Sequence, residues 1–343
     1  MNLFFYILLI FFSFLYLNKI FKKKNFLISD TGDFHQRFTS QKKIPLTGGI
    51  FLLISSIYYY DYKLSLFYFF GTSIFLLGFV SDLKILKSAK LRFFIQVLLV
   101  YLFVYLLDIK ILDTRIFFLD ILLQNLILNY LFVCFCILIL INGSNFFDGL
   151  NTLNIGYFFI ISLCIFYLNL NNEIILYNFP LVYLLFCLSI IYALNFFNKI
   201  FLGDSGSYLL GLFFSVFLIM IYKWNSNISP FFIILLLWYP SFENLFSILR
   251  KNIFKKSPMS PDTKHLHQLI FYFVKKKMRS KKIIYANVLS ASLINFYNLL
   301  IFCLSIKFIY NSQIQIVLIL FNIIVYLYIY FNLFILKYKI NEK

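Results

Sequence analysis

Eleven stretches of this chain, near residues 2–21, 47–60, 65–81, 91–112, 127–143, 153–169, 174–194, 207–222, 229–249, 284–306 and 313–337, are apolar enough to lie in a bilayer. A run of about 17–25 apolar residues crosses the hydrocarbon layer as a helix. Of 343 residues, 62% are hydrophobic and only 13% charged, far too apolar for a soluble domain of this length. No Pro/Gly-rich linker or internal repeat divides the runs. The expected fold is therefore all-α: one integral-membrane domain over residues 1–343, a polytopic transmembrane helical bundle of about eleven spans.

The charges between the runs orient them. Loop 22–46 holds Lys22, Lys23, Lys24, Arg37, Lys42 and Lys43, and loop 82–90 holds Lys84, Lys87 and Lys90. Loop 250–283 is the richest, from Arg250 and Lys251 to Lys281 and Lys282, whereas loops 61–64, 170–173, 223–228 and 307–312 are short and nearly free of Lys and Arg. Alternation of eleven spans puts every basic loop on one side. The positive-inside rule makes that side cytoplasmic, with the N-terminus outside and the C-terminus inside. The formal net charge of +18 then reports loop topology and anionic membrane lipids; no nucleic-acid motif accompanies it. The five cysteines, Cys134, Cys136, Cys164, Cys187 and Cys303, all lie in apolar runs and read as packing residues. The first run lacks a small-residue cleavage site and a preceding basic residue, so it is expected to be a retained span.

The same alternation gathers the polar motifs at the cytoplasmic interface. Asp82 ends the run after Gly78-Phe79-Val80-Ser81 and is followed by Lys90, Leu91 and Gln96. It suits a base or a metal contact, or an interfacial carboxylate paired with Lys84. Asn142, Asn145 and Asp148 recur at a spacing of three, which one helical face would present to a sugar or nucleobase; the alternative is an Asx turn at Asp148-Gly149. The stretch Asn198 to Ser207 sets Asp204, two glycines and two hydroxyls between long apolar runs, which suits Mg²⁺ carrying phosphates, or a capped turn. Lys264, His265 and His267 beside Pro261 and Asp262 suit a pyrophosphate, or a solvated basic loop. A transporter would also show polar or broken-helix features near mid-membrane. Chemistry gathered at one interface favours an enzyme that takes one substrate from the cytosol and another from the lipid.

In order, these clusters resemble the polyprenyl-phosphate N-acetylhexosamine-1-phosphate transferases, the family that includes the starting enzyme of enterobacterial common antigen and the phospho-MurNAc-pentapeptide translocase. The resemblance runs from Pro45, Gly48 and Gly49, through Gly78, Asp82, Lys90, Leu91 and Gln96, then Asn142, Asn145, Asp148 and Gly149, then Lys199 through Ser207, to Pro261, Asp262, His265 and His267. Four positions depart from the family pattern. Ser81 stands where the first Asp of a pair is usual, Asn151 where a second Asp often follows Asp-Gly-Leu, Gln268 in place of the last His, and Ser40 where a first-loop His is expected.

The resemblance implies transfer of a sugar 1-phosphate from a UDP-N-acetylhexosamine to a polyprenyl phosphate such as undecaprenyl phosphate, releasing UMP and starting a cell-envelope glycan such as lipopolysaccharide. It implies Mg²⁺ as cofactor, with Mn²⁺ able to replace it, in the cytoplasmic membrane of a bacterium, and it is compatible with a homodimer. Asp204 is then the metal ligand, and Asp82 supports the metal or accepts a proton. Lys264, His265 and His267 neutralise the diphosphate. Asn142, Asn145, Asp148 and Asn151 face nucleotide or sugar, and Lys90 and Lys199 complete the substrate-binding set. The competing readings are a catalytically altered or inactive family member, which Ser81 supports, and a transporter of nucleotide-sugar or lipid phosphate.

Overall fold

The computed structural model describes residues 3–29, 43–59, 61–177, 179–253, 255, 263–278 and 283–339. Pro261, Asp262 and Ser40 lie outside them. Among the described residues the fold is helical, and the one departure is an isolated antiparallel bridge between Ile28 and Pro45.

Among the described residues fourteen α-helices follow one another. They are α1 (Leu3–Lys24), α2 (Gly48–Ser56), α3 (Ser65–Asp82), α4 (Ala89–Leu106), α5 (Phe117–Leu123), α6 (Leu126–Phe147) and α7 (Leu153–Leu170). Then come α8 (Leu181–Phe196), α9 (Gly203–Trp224), α10 (Pro230–Leu236), α11 (Trp238–Ile253), α12 (Leu266–Met278), α13 (Ile283–Ile306) and α14 (Ser312–Lys339). Eight of them are long and apolar enough to cross a membrane, and α10 with α11, bent by 72°, make a ninth if they form one broken span. Each of the eleven apolar stretches contains a helix. Two fall short of a span: α2 has 9 residues and α8 has 16.

α9 is the axis of the bundle, with 78% of its most apolar window buried, against 22% for α4 and α14. A helix buried all round must be apolar all round. Its Tyr208, Leu212 and Val216 join a cluster with Phe70, Ile74, Phe103 and Ile137 of α3, α4 and α6. Its Leu210, Phe214, Leu218 and Ile221 belong to the larger cluster with α7, α8, α10 and α13. The two apolar clusters thus meet on one helix, and anything at its N-terminus inherits a fixed position.

Small residues let neighbours reach that N-terminus. At Gly78 of α3 a Cβ would lie 2.5 Å from the Ser205 backbone nitrogen. The Pro45 to Gly49 segment docks through the backbone: Phe201 N–H donates to Pro45 O (2.8 Å), and Gly48 N–H to Phe201 O (3.0 Å). The α10–α11 bend has an identifiable cause, Pro240 in the first turn of α11. The Tyr157 hydroxyl of α7 crosses the break, donating to Leu236 O (2.9 Å) and accepting from Tyr239 N–H (3.4 Å).

At the opposite end of the bundle Arg115 ties three connections together, donating to the Tyr310, Asn227 and Ile228 carbonyls and to Ser312 Oγ. That end is a structural clasp, and none of the motif residues is part of it.

Candidate active site at the N-terminus of α9

Gly203 opens α9 with φ +75°, a conformation that favours glycine, and the turn aims the first free N–H groups at α3. Asp82 meets them. Its Oδ1 accepts from Asp204 N–H (2.8 Å), and its Oδ2 accepts from Ser205 N–H (3.1 Å) and Ser205 Oγ–H (2.8 Å). A carboxylate in this place satisfies orphan donors and complements the positive end of the helix dipole. Both Asp82 oxygens are therefore engaged, and what they fix is the position of Asp204.

Asp204 is held differently. Its Oδ2 accepts from Ser81 Oγ–H (2.6 Å) and from Arg92 Nη1–H (2.8 Å), and Arg92 also donates to Ser81 Oγ. The Arg92 and Asp204 side chains stay 22% and 27% exposed, so both can be reached from outside. Asp204 Oδ1 has no hydrogen-bond partner among the described residues.

Asp148 completes the group. It follows the last residue of α6, and its carboxylate accepts from Ser207 Oγ–H (3.0 Å) in the first turns of α9. Burial, reinforced by the charges of Asp204 and Asp82, pushes its pKa well above the usual carboxylate range, while the Ser207 bond works against the rise. Behind it, Asn154 donates to Ser144 O (3.1 Å) and Ser207 Oγ (3.3 Å), locking the 148–152 turn onto both helices.

The asparagines divide. Asn142 donates to Gln96 Oε1 (3.1 Å), which joins α6 to α4. The Asn145 side chain is half-buried and makes no hydrogen bond within the described residues, so it has amide capacity to spare. Asn151 is 3% exposed and donates to Asn195 O (3.1 Å) and Asn198 Oδ1 (3.0 Å), so it braces the turn before α9 from inside. Lys90 and Lys199 are exposed.

The histidine segment approaches from the other flank. His267 is fully buried, its Nε2 lying where a Cβ at Gly149 would come within 2.4 Å, so it packs directly on the residue after Asp148. Burial and the neighbouring His265 lower its pKa to about 3, leaving a neutral ring whose nitrogens have no partner among the described residues. His265 stacks on His267 (centroids 5.6 Å apart) and shares a hydrogen bond between its Nδ1 and Glu243 Oε1 (2.8 Å). Lys264 turns the other way: its ammonium lies over the Phe334 and Tyr338 rings of α14.

Two residues here escape the sequence reading, and both left a signal. Arg92 is a cation in the first turn of α4, where the helix dipole disfavours positive charge unless a specific anion holds it. Glu243 is the one acid in its apolar run, and an ionisable group within such a run marks a site by default. It is 0% exposed and also accepts from Tyr326 O–H (2.8 Å).

A divalent cation has a partial fit. Among the described residues no group of three or more His, Cys, Asp and Glu could hold a metal ion alone. Mg²⁺ ordinarily takes only one or two carboxylates and completes its shell with substrate phosphates and water. Asp204 Oδ1 is the hard oxygen such a site requires.

Residues 64–222 match the sequence model of glycosyl transferase family 4. The chain is 38% identical over 71 residues to an undecaprenyl-phosphate alpha-N-acetylglucosaminyl 1-phosphate transferase of Thermotoga maritima (21% of this chain, 23% of that protein). It is 34% identical over 88 residues to a probable undecaprenyl-phosphate N-acetylglucosaminyl 1-phosphate transferase of Bacillus subtilis (25% of each). A third relative, decaprenyl-phosphate N-acetylglucosaminephosphotransferase of Mycolicibacterium smegmatis, is 28% identical over 168 residues (43% of this chain, 41% of that protein). The aligned stretches thus span between 23% and 41% of these relatives. Asp82, Asp148 and Asp204 fall within the family segment, and Glu243, His265 and His267 beyond it.

Proposed function

We propose that this chain, which belongs to glycosyl transferase family 4 through residues 64–222, transfers a sugar 1-phosphate from a UDP-N-acetylhexosamine to a polyprenyl phosphate and releases UMP. The observation that carries the reading is the meeting of Asp82, Asp148 and Asp204 at the start of the most buried helix. Three acids from three separate motifs are arranged there with one oxygen of Asp204 left open.

In this reaction an oxygen of the lipid phosphate attacks the β-phosphorus of the donor. A new P–O bond forms, the bridging oxygen leaves with the α-phosphate as UMP, and the bond at the anomeric carbon is untouched. Phosphoryl transfer of this kind is mostly positioning and charge neutralisation. Mg²⁺, with Mn²⁺ as substitute, would be held by Asp204; when bound it neutralises diphosphate oxygens and polarises the phosphorus. Asp82 fixes Asp204 by capping the helix that carries it. Asn145 and Asp148 offer hydrogen bonds to nucleotide or sugar, and His267 backs them by packing on Gly149. Asn142 ties α6 to α4, and Asn151 braces the turn before α9. Lys90 and Lys199, both exposed, complete the substrate-binding set in this reading. The site faces the cytoplasm in this reading, and the isoprenoid tail stays in the bilayer.

The test is UMP release by purified protein given Mg²⁺, undecaprenyl phosphate and a panel of UDP-N-acetylhexosamines. Release that needs both the lipid and the metal, and disappears in Asp204→Asn, supports the transferase and identifies the sugar. Uptake of a nucleotide-sugar into sealed vesicles without UMP would instead establish the transporter.

A further inference from the structure

Arg92 and a divalent cation have claims on the same carboxylate. The guanidinium nitrogen Nη1 sits 2.8 Å from Asp204 Oδ2, and Ser81 Oγ donates to that oxygen at 2.6 Å. An acid at position 81 would have given a cation a second anionic partner. Here the hydroxyl leaves Asp204 with one negative charge, which Arg92 already neutralises. Asp82 is turned toward the start of α9, where both of its oxygens accept hydrogen bonds.

Arg92 is also underused where it stands. A guanidinium carries five N–H donors in a planar fork suited to phosphate oxygens. Its hydrogen bonds among the described residues all run through Nη1, and its buried Nε has no partner among them. It occupies the first turn of a helix, where the dipole opposes a cation. A dication on Asp204 would lie within a few ångströms of that positive charge and repel it.

We propose that Arg92 is an exchanging cation: it holds the Asp204 carboxylate while the site is empty and passes to the donor's diphosphate when a divalent metal takes the carboxylate. Metal entry and diphosphate binding are thereby linked, since the ion that the metal displaces is the one that grips the phosphates. This deepens the transferase reading and rests on its assignment of Asp204 to the metal.

The test is Mn²⁺ binding, followed by electron paramagnetic resonance, to wild type, Arg92→Gln, Arg92→Lys, Asp204→Asn and the Arg92→Gln/Asp204→Asn pair. Arg92→Gln is expected to bind Mn²⁺ about tenfold more tightly than wild type, with Arg92→Lys between them. The gain should vanish in the Asp204→Asn background, because the two side chains act on one site. With Mg²⁺ present, UDP affinity measured by calorimetry should fall about tenfold in Arg92→Gln and less in Arg92→Lys. Equal Mn²⁺ affinity in wild type and Arg92→Gln, or a gain that survives Asp204→Asn, overturns the competition. Unchanged UDP affinity overturns the transfer to phosphate. Arg92→Lys keeps the cation and so remains informative if Arg92→Gln fails to fold. Absence of UMP release by wild type from any donor, with the Mn²⁺ pattern intact, would reject the transferase reading and leave the competition standing.

Discussion

Two carboxylates, Glu243 beside the histidine segment and Asp204 at the start of α9, are built in opposite ways. Glu243 is 0% exposed; its Oε1 takes His265 Nδ1 and the Leu266 N–H (3.3 Å), and its Oε2 takes the Tyr326 hydroxyl. Asp204 is 27% exposed and keeps an oxygen in reserve. A fully partnered buried acid can only hold things still, and Glu243 holds the turn into α12 so that His265 and His267 stack over Gly149. A half-partnered acid at a rim can bind something new. The difference separates positioning from chemistry more sharply than the identity of either residue.

Crossing the two positions gives the largest expected effects. Glu243→Ala strips three hydrogen bonds from a buried network and should cost about 3–5 kcal/mol of stability, read from unfolding in detergent. Activity should fall with it as the histidine segment loosens. Asp204→Asn should show the reverse. UMP release is expected to drop by about 10²–10³-fold, the cost of losing a charge aimed at the transition state. Its unfolding should shift by no more than about 1 kcal/mol, because a part-exposed ion pair contributes little. Asp204→Asn that unfolds, or Glu243→Ala that keeps wild-type stability, breaks the comparison.

Gly149→Ala sharpens it at smaller scale. The added methyl meets the far edge of the His267 ring, 2.4 Å from Nε2, so the ring must move. Overpacking of this kind costs about 1–3 kcal/mol. The expected outcome is lower activity with a modest loss of stability, measured as UMP release against unfolding in the same preparation. Wild-type kinetics in that variant would show that the position of His267 does not matter to the site.

The sequence made the bundle legible because apolar length is a direct physical requirement of crossing lipid. All eleven stretches contain helices, yet α2 and α8 are shorter than a span. Hydropathy alone cannot tell a short buried helix packed on α9 from one that crosses. α12 was hidden in loop 250–283 because it has only 13 residues, too few for a span, and Lys275, Lys276 and Lys277 dilute its apolar run. The site was legible as far as residue type reports it: Asp82, Asp148 and Asp204 do converge. What spacing could not say is which valences are spent. Asn151 reads like Asn145 in a motif, but one is locked behind Asn198 and the other is open. Lys264 reads like a phosphate ligand, but aromatic rings of α14 hold its ammonium. Arg92 emerged only when α4 was seen to start beside α9.

The smallest effect concerns pH. Burial lowers the His267 pKa to about 3, below the about 6.5 of an exposed imidazole, so the native state refuses a proton that the unfolded chain accepts. The unfolded chain therefore binds more protons between those two values, and stability rises with pH across that window and is flat above it. Going from pH 7.5 to 5.5 should cost about 1–2 kcal/mol through this group alone. Asp148 works in the opposite sense, since its raised pKa lets the native state keep a proton that the unfolded chain has lost. The raw profile mixes the two, and the informative quantity is the difference between wild type and His267→Gln over the same pH range. Asp148 is common to both, so it cancels to the extent that the substitution leaves its surroundings unchanged. Wild type should lose stability toward pH 5.5 relative to the variant. Parallel profiles would mean that the His267 ring is reached by water or finds a partner, and that the neutral buried imidazole over Gly149 is not the form the protein maintains.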